Sequence, residues 1–123
     1  MPGRLLHTRT PLLAAVAACF CAGVLSGEEI TYEKHVRPIL KTHCFHCHGE
    51  GAELQGELDL RLRRLIAQGG ESGAAIVAGD PQASLLLRRV RSGEMPPEDV
   101  KLRPTNDEIA VIERWIAAGA IAS

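Results

Sequence analysis

The stretch THCFHCHGE, residues 42–50, holds two cysteines, three histidines and a glycine in nine positions. Thiols and imidazoles can bind a metal, exchange electrons, form a disulfide or be bonded covalently to a cofactor. These four kinds of chemistry need different surroundings. The rest of the sequence therefore has to distinguish among them.

Within this stretch, Cys44-Phe45-His46-Cys47-His48 matches C-x-x-C-H, the pattern typical of covalent haem c attachment. Two cysteines three positions apart at a helix end lie on one face. Both sulfurs can then bond to the two vinyl groups on one edge of a porphyrin. The histidine that follows is carried beneath the ring, where its imidazole can bind iron. We predict one covalent haem c, with Cys44 and Cys47 as attachment sites and His48 as an iron ligand.

Three other interpretations of the cysteine pair stay open. Zinc could be bound by both cysteines and two of the three histidines, but structural zinc sites draw a second ligand pair from a distant segment. No Cys or His follows His48. A thioredoxin-like redox pair needs a βαβ pattern that the sequence lacks. A plain Cys44–Cys47 disulfide would not explain how so short a chain fills its interior.

Met95, in the segment GEMPPE, is the candidate for the second axial iron ligand. A lone methionine more often fills a gap in a core. Here Pro96 and Pro97 stiffen the backbone beside it, in a loop where gap filling is least expected. The alternatives are His35, His43 or an open coordination position.

Residues 1–27 have the pattern of a secretory signal peptide. Arg4 and Arg9 precede an apolar run at 11–25, and small residues follow it, so we predict cleavage near Ser26 or Gly27. The run is short for a membrane span. An uncleaved membrane anchor and lipid attachment at a cysteine within the run are the alternatives. We expect the protein to be periplasmic or otherwise exported.

Removal of residues 1–27 changes both the charge and the cysteine count. The chain would lose two of its fourteen basic residues and none of its fifteen acids, which takes the formal net charge from −1 to −3. Such a surface gives no reason to expect nucleic acid or anionic lipid as a partner. Cys44 and Cys47 would then be the remaining cysteines. We expect no membrane span in the chain that remains.

The remaining chain, residues 28–123, predicts one all-α domain. Apolar periodicity and end signals place four helices: about 36–43 with Pro38 in the first turn, about 59–68 between an Asp59 cap and Gly69, about 81–92 between Pro81 and Gly93, and a last helix from the Thr105–Glu108 capping box to Gly119. The connections at 49–58 and 93–105 are long for so small a domain. Three aromatic residues are few for a domain of this size. We therefore expect something besides side chains to fill part of its interior.

An ordered set of segments resembles the planctomycete-type cytochrome c domain, a class I-like c-type cytochrome. The segments are YEKHVRPILKTHCFHCHG, GELDLR, GGESGAAIVAGDP, SLLLRRV, MPPE and IERWIAAGA, which together span about residues 30–120. The resemblance implies long loops wrapped around a covalent haem, and a haem-bearing helix near Cys44 that crosses the terminal helix near Trp115. It also implies His48 as the proximal and Met95 as the distal ligand.

The expected function is one-electron transfer with an unidentified redox partner protein. We find no paired acid and base, nucleophile or phosphate-binding loop, so we expect an electron carrier and not an enzyme. The alternatives are a haem enzyme or gas sensor with an open distal site, and a zinc-binding interaction module. Expected pocket residues are Ile76, Val77, Leu86 and Leu102. Candidates for pairing with haem carboxylates are Arg88, Arg89, Arg91, Lys101 and Arg103.

Overall fold

The computed structural model describes residues 27–123 and three isolated residues before them, Met1, Gly3 and Gly23. Nearly all of the predicted signal peptide lies outside the described residues. Over 27–123 there is no β-strand, and no helix is long and apolar enough to cross a membrane. The described α-helices are α1 (Arg37–His43), α2 (Arg63–Gln68), α3 (Leu85–Ser92) and α4 (Asn106–Ala117).

The predicted all-α class and number of helices agree with this structure. The first helix is also preceded by a π-helical turn, Tyr32–Val36, which runs directly into α1. Pro38 lies in the first turn of α1, as predicted. The helical segment thus starts about four residues before the predicted start near residue 36.

Helix α2 begins later than predicted. Asp59 does not cap it, because its carboxylate accepts the backbone N–H of Arg61 at 2.9 Å and also binds the Arg61 guanidinium. The chain stays extended at Leu62, and α2 starts at the next residue. Its end is as predicted, since Gly69 follows with a φ of 77° that favours glycine.

Helix α3 also begins later than predicted. Pro81 lies in a turn before it, and Ser84, which is fully buried, precedes its first residue. The Ser84 hydroxyl accepts the N–H of Val77 at 2.9 Å and donates to the carbonyl of Asp80 at 2.9 Å. These bonds hold Ser84 against Val77 and Asp80 in a turn, so α3 starts only after Ser84. Gly93 ends α3 in the left-handed conformation, as predicted.

Helix α4 begins with the predicted capping box. The Thr105 hydroxyl accepts the N–H of Glu108 at 3.2 Å, and the Glu108 carboxylate accepts the N–H of Thr105 at 2.8 Å. Two of the unpaired donors at the helix start are thereby satisfied. The buried residues of α4 are Ile112, Trp115 and Ile116.

The core is centred where the π-helical turn packs against α4. The rings of Tyr32 and Trp115 are both fully buried, with centroids 5.7 Å apart. The indole N–H of Trp115 and the backbone N–H of Tyr32 each donate to the Ile121 carbonyl, both at 2.8 Å. The Tyr32 hydroxyl donates to the Leu60 carbonyl. The core thus extends to the segment just before α2.

The capping box gives a first prediction. Thr105→Ala removes the hydroxyl that accepts the Glu108 N–H, so the free energy of unfolding should fall by about 1 kcal/mol, the usual cost of losing such a cap. Thr105→Ser keeps the acceptor and should stay close to the wild type. Urea unfolding followed by circular dichroism measures both. Equal stability of the two variants would contradict the assigned role.

Candidate functional site

A largely apolar cavity of about 620 Å³ lies among five segments of the chain. Its volume falls in the range of about 300–1,000 Å³ typical of cofactor sites. Cys44, Cys47, His48 and Met95, the four site residues predicted from the sequence, all line it. The structure therefore brings together residues from two segments that are far apart along the chain.

The two cysteines lie in the turn that follows α1. The N–H of Cys44 donates to the Leu40 carbonyl at 2.8 Å, and the N–H groups of Cys47 and His48 donate to the Cys44 carbonyl at 3.2 and 2.9 Å. This continuation of helical bonding turns both cysteine side chains toward the cavity. Both are free thiols in the structure, not a disulfide.

The environment of Cys44 favours a neutral thiol. Burial, and to a smaller degree the nearby Cys47 charge, raise the pKa of Cys44 to about 12. Thiol exchange requires a thiolate, so this environment does not favour exchange at Cys44. Over residues 27–123, no group of three Cys, His, Asp or Glu side chains is close enough together to hold a metal ion. The zinc alternative therefore finds no donor set in this part of the chain.

His48 is oriented by a backbone carbonyl. Its Nδ1 lies 3.0 Å from the carbonyl oxygen of Gln55, in the short 3₁₀ turn Gln55–Glu57. A carbonyl can only accept, so Nδ1 carries a hydrogen, and in the neutral ring Nε2 then keeps a free lone pair. Such a bond from the remote nitrogen is the usual way in which proteins fix a metal-binding imidazole. His48 is thus prepared to bind a metal through Nε2.

Met95 lies in the loop after α3, where a backbone hydrogen bond and a buried proline hold the chain. Its N–H donates to the carbonyl of Arg89 at 3.0 Å, and the following Pro96 is buried. The Met95 side chain is partly buried and borders the cavity. A thioether, a neutral and soft donor, therefore lies in the same cavity as the imidazole of His48.

The other histidines of this region have different surroundings. The side chain of His43 is 4% exposed, with Nε2 3.1 Å from the Glu108 carboxylate and Nδ1 3.4 Å from the Leu102 carbonyl. Both of its ring nitrogens are thus engaged. His35 does not line the cavity, and its Nδ1 accepts the N–H of Thr31. His46 is exposed at the cavity edge.

The prediction of the apolar cavity wall was partly wrong. Leu86 and Leu102 line the cavity, but Ile76 and Val77 do not. Ile76 is buried in the core. Val77 is 44% exposed, and its N–H donates to the Ser84 hydroxyl. The wall also includes residues that were not predicted, among them Leu58, Leu60, Val90 and Val100. The two-residue spacing of Leu58 and Leu60, which places both on one face of an extended chain, was the available signal for these two. Leu62 has the same spacing but does not line the cavity and is 39% exposed.

Glycine backbone forms another part of the wall. Gly56 and Gly70 both line the cavity, and the N–H of Glu71 donates to the Gly56 carbonyl at 2.9 Å. A Cβ added at Gly70 would lie 2.3 Å from that carbonyl oxygen. Only glycine lets these two backbone segments approach so closely.

One permanent positive charge borders the cavity. Among its lining residues in the described chain, Arg89 is the sole Lys or Arg, and none is Asp or Glu. The guanidinium lies 3.4 Å from the Glu94 carboxylate and donates to the Ser72 hydroxyl at 3.3 Å. Of the five basic residues considered for pairing with haem carboxylates, the structure places this one at the cavity.

A protein-family model described as Planctomycete cytochrome C matches residues 44–99. Over these residues the chain is similar to this cytochrome c family. The match confirms the predicted resemblance over that span, which begins at Cys44 and includes Cys47, His48 and Met95. The cofactor of a cytochrome c family is haem. Searches of the curated proteins and of the solved structures gave no match.

The contacts of Glu108 at the start of α4, first with Thr105 and then with His43, make stability depend on acid pH. The pKa of Glu108 is lowered from its ordinary value of 4.5, chiefly by the Thr105 N–H and also by the His43 ring, against the opposing effect of burial. A lowered carboxyl pKa stabilises the fold above pH 4.5, and this contribution is lost as pH falls through the folded-state pKa.

Glu108→Gln tests that dependence, because glutamine can keep the capping hydrogen bond and does not titrate. We expect the wild type to be more stable than Glu108→Gln at neutral pH, and the difference to shrink as pH falls below 4.5. Urea unfolding over a pH series measures it. A difference that stays constant through the acid range would contradict the ionised role of Glu108.

Proposed function

We propose that this protein is an exported c-type cytochrome that carries single electrons through one covalently attached haem. Cys44 and Cys47 would form the two thioether links, and His48 and Met95 would be the axial ligands of the iron. One observation carries the proposal: these four residues, from two distant segments, line the same apolar cavity.

The groups around the cavity fit such a cofactor chemically. Apolar walls suit a porphyrin, the free Nε2 of His48 suits iron, and the two free thiols suit vinyl groups. A haem also carries two carboxylates. Arg89 would pair with one of them, since its guanidinium is the permanent positive charge among the described cavity residues.

Bound haem would supply an iron that gains or loses one electron by cycling between ferric and ferrous states. The chain contributes fixed ligands. The Gln55 carbonyl holds the imidazole of His48, and the backbone bond to Arg89 holds Met95. Ligands that move little when the charge changes keep the cost of electron transfer low. The apolar walls exclude water, which together with thioether ligation favours the reduced state.

The proposal includes the location of the protein. Residues 1–27 would direct export and be removed, leaving residues 28–123 as one cytochrome c domain in the compartment where haem is attached. Its partner would be another redox protein. Neither nucleic acid nor a membrane surface is favoured by the negative charge that remains.

The first experiment is expression in an exporting host that has cytochrome assembly enzymes. We expect a coloured protein whose mass equals that of the cleaved chain plus one haem, and whose spectrum changes reversibly in a one-electron titration. Cys44→Ala with Cys47→Ala should abolish covalent haem. Colourless wild-type material at the bare polypeptide mass would refute the proposal.

The second experiment addresses the distal ligand. Sulfur ligation of ferric haem gives a weak far-red charge-transfer band, whereas an open position gives a high-spin spectrum. Met95→Ala should lose the band and become high-spin. Val100→Ala, which shortens another cavity-lining residue, should keep it. A band that survives in Met95→Ala would show that another residue binds the iron, and a high-spin wild type would favour a haem enzyme or gas sensor.

A further inference from the structure

The loop that carries Met95 is tied across its base by one side chain. The guanidinium of Arg103 donates through Nη2 to the Gly93 carbonyl at 2.8 Å and through Nη1 to the Pro97 carbonyl at 3.2 Å. Gly93 lies two residues before Met95, and Pro97 lies two residues after it. The two hydrogen bonds therefore bracket the methionine symmetrically along the chain.

We propose that Arg103 is a positioning residue that holds the Met95 thioether at the iron. This role rests on the proposed function, because it requires a bound haem with Met95 as a ligand. The side chain itself contacts the loop backbone and is not among the residues that line the cavity. It would act through Met95 and not on the cofactor.

The chemistry of the contact calls for arginine. A guanidinium is planar and presents its N–H groups in a fixed fork, so one side chain can span two carbonyls. Over residues 27–123, Arg103 forms no salt bridge with an acidic side chain. Its donors are directed to neutral backbone oxygens. The contact thus fixes the geometry of the loop and does not neutralise a charge.

Few other contacts could replace this tie. Residues 93–105 contain no helix or strand, so the segment lacks a ladder of backbone hydrogen bonds. The N–H of Met95 is bonded to the Arg89 carbonyl, and the N–H of Val100 to the Pro97 carbonyl at 2.9 Å. Neither bond joins the chain before Met95 to the chain after it. Arg103 does, because it contacts Gly93 and Pro97 together.

The test compares Arg103→Gln and Arg103→Lys with Lys101→Gln in the matured, haem-loaded protein. Lys101 is an exposed neighbour in the same segment, so its replacement removes the same charge without touching the two carbonyls. Imidazole is added to the ferric protein, and loss of the far-red band reports its displacement of Met95. A looser loop releases the thioether more easily, and therefore raises the apparent affinity for imidazole.

We expect Arg103→Gln to bind imidazole about tenfold more tightly than the wild type, the size of effect that follows from losing hydrogen bonds to a charged donor. Lys101→Gln should match the wild type. Arg103→Lys should bind imidazole with intermediate affinity, since a single ammonium nitrogen replaces the fork. If Arg103→Gln fails to mature, the comparison of Arg103→Lys with the wild type still tests the proposal.

Three results would overturn the proposal. The first two concern Arg103 alone and leave the proposed function intact, whereas the third concerns Met95 ligation, which belongs to the proposed function. Equal imidazole affinities of Arg103→Gln and Lys101→Gln would show that only charge matters, or that the tie does not matter. A lysine variant identical to the wild type would show that the fork is not needed. A wild-type protein with covalent haem and no far-red band would instead refute Met95 ligation itself, and the role of Arg103 with it.

Discussion

An apolar cavity that the chain does not fill with its own side chains is the constraint on which the structure depends. The cavity has a volume of about 620 Å³ and opens to the solvent, so its apolar walls would be exposed to water without a cofactor. Exposure of apolar surface to water is unfavourable. The proposed haem, a flat and largely apolar macrocycle bonded to Cys44 and Cys47, would cover these walls.

The site and the core are connected through the segment around Leu60. Its carbonyl accepts the hydroxyl of Tyr32, whose ring packs at a tilt against Trp115 in the centre of the core. Its N–H donates to the carbonyl of His48 at 2.9 Å. His48 is bonded in turn to Gln55 through its ring. The position of the imidazole is thus determined by buried aromatic packing, which is rigid, as well as by the short loop beside it.

The parts that could be predicted from the sequence depend on local signals. The C-x-x-C-H spacing indicated the chemistry of the site, and the Thr105–Glu108 capping box gave the start of α4 because both of its hydrogen bonds join neighbours in the chain. The starts of α2 and α3 were missed because Asp59 and Ser84 bind other partners. Side-chain direction in irregular segments has no periodic signal, which is why Ile76 and Val77 were assigned to the wrong environment. The contacts of Arg103 with two loop carbonyls likewise have no sequence pattern.

The most direct test of this account is an experimental structure of the matured protein. The account predicts one haem in the cavity described here, bonded to the sulfurs of Cys44 and Cys47, with its iron between Nε2 of His48 and the sulfur of Met95. A structure in which both sulfurs are unmodified and the chain has closed over the same space with its own side chains would contradict it.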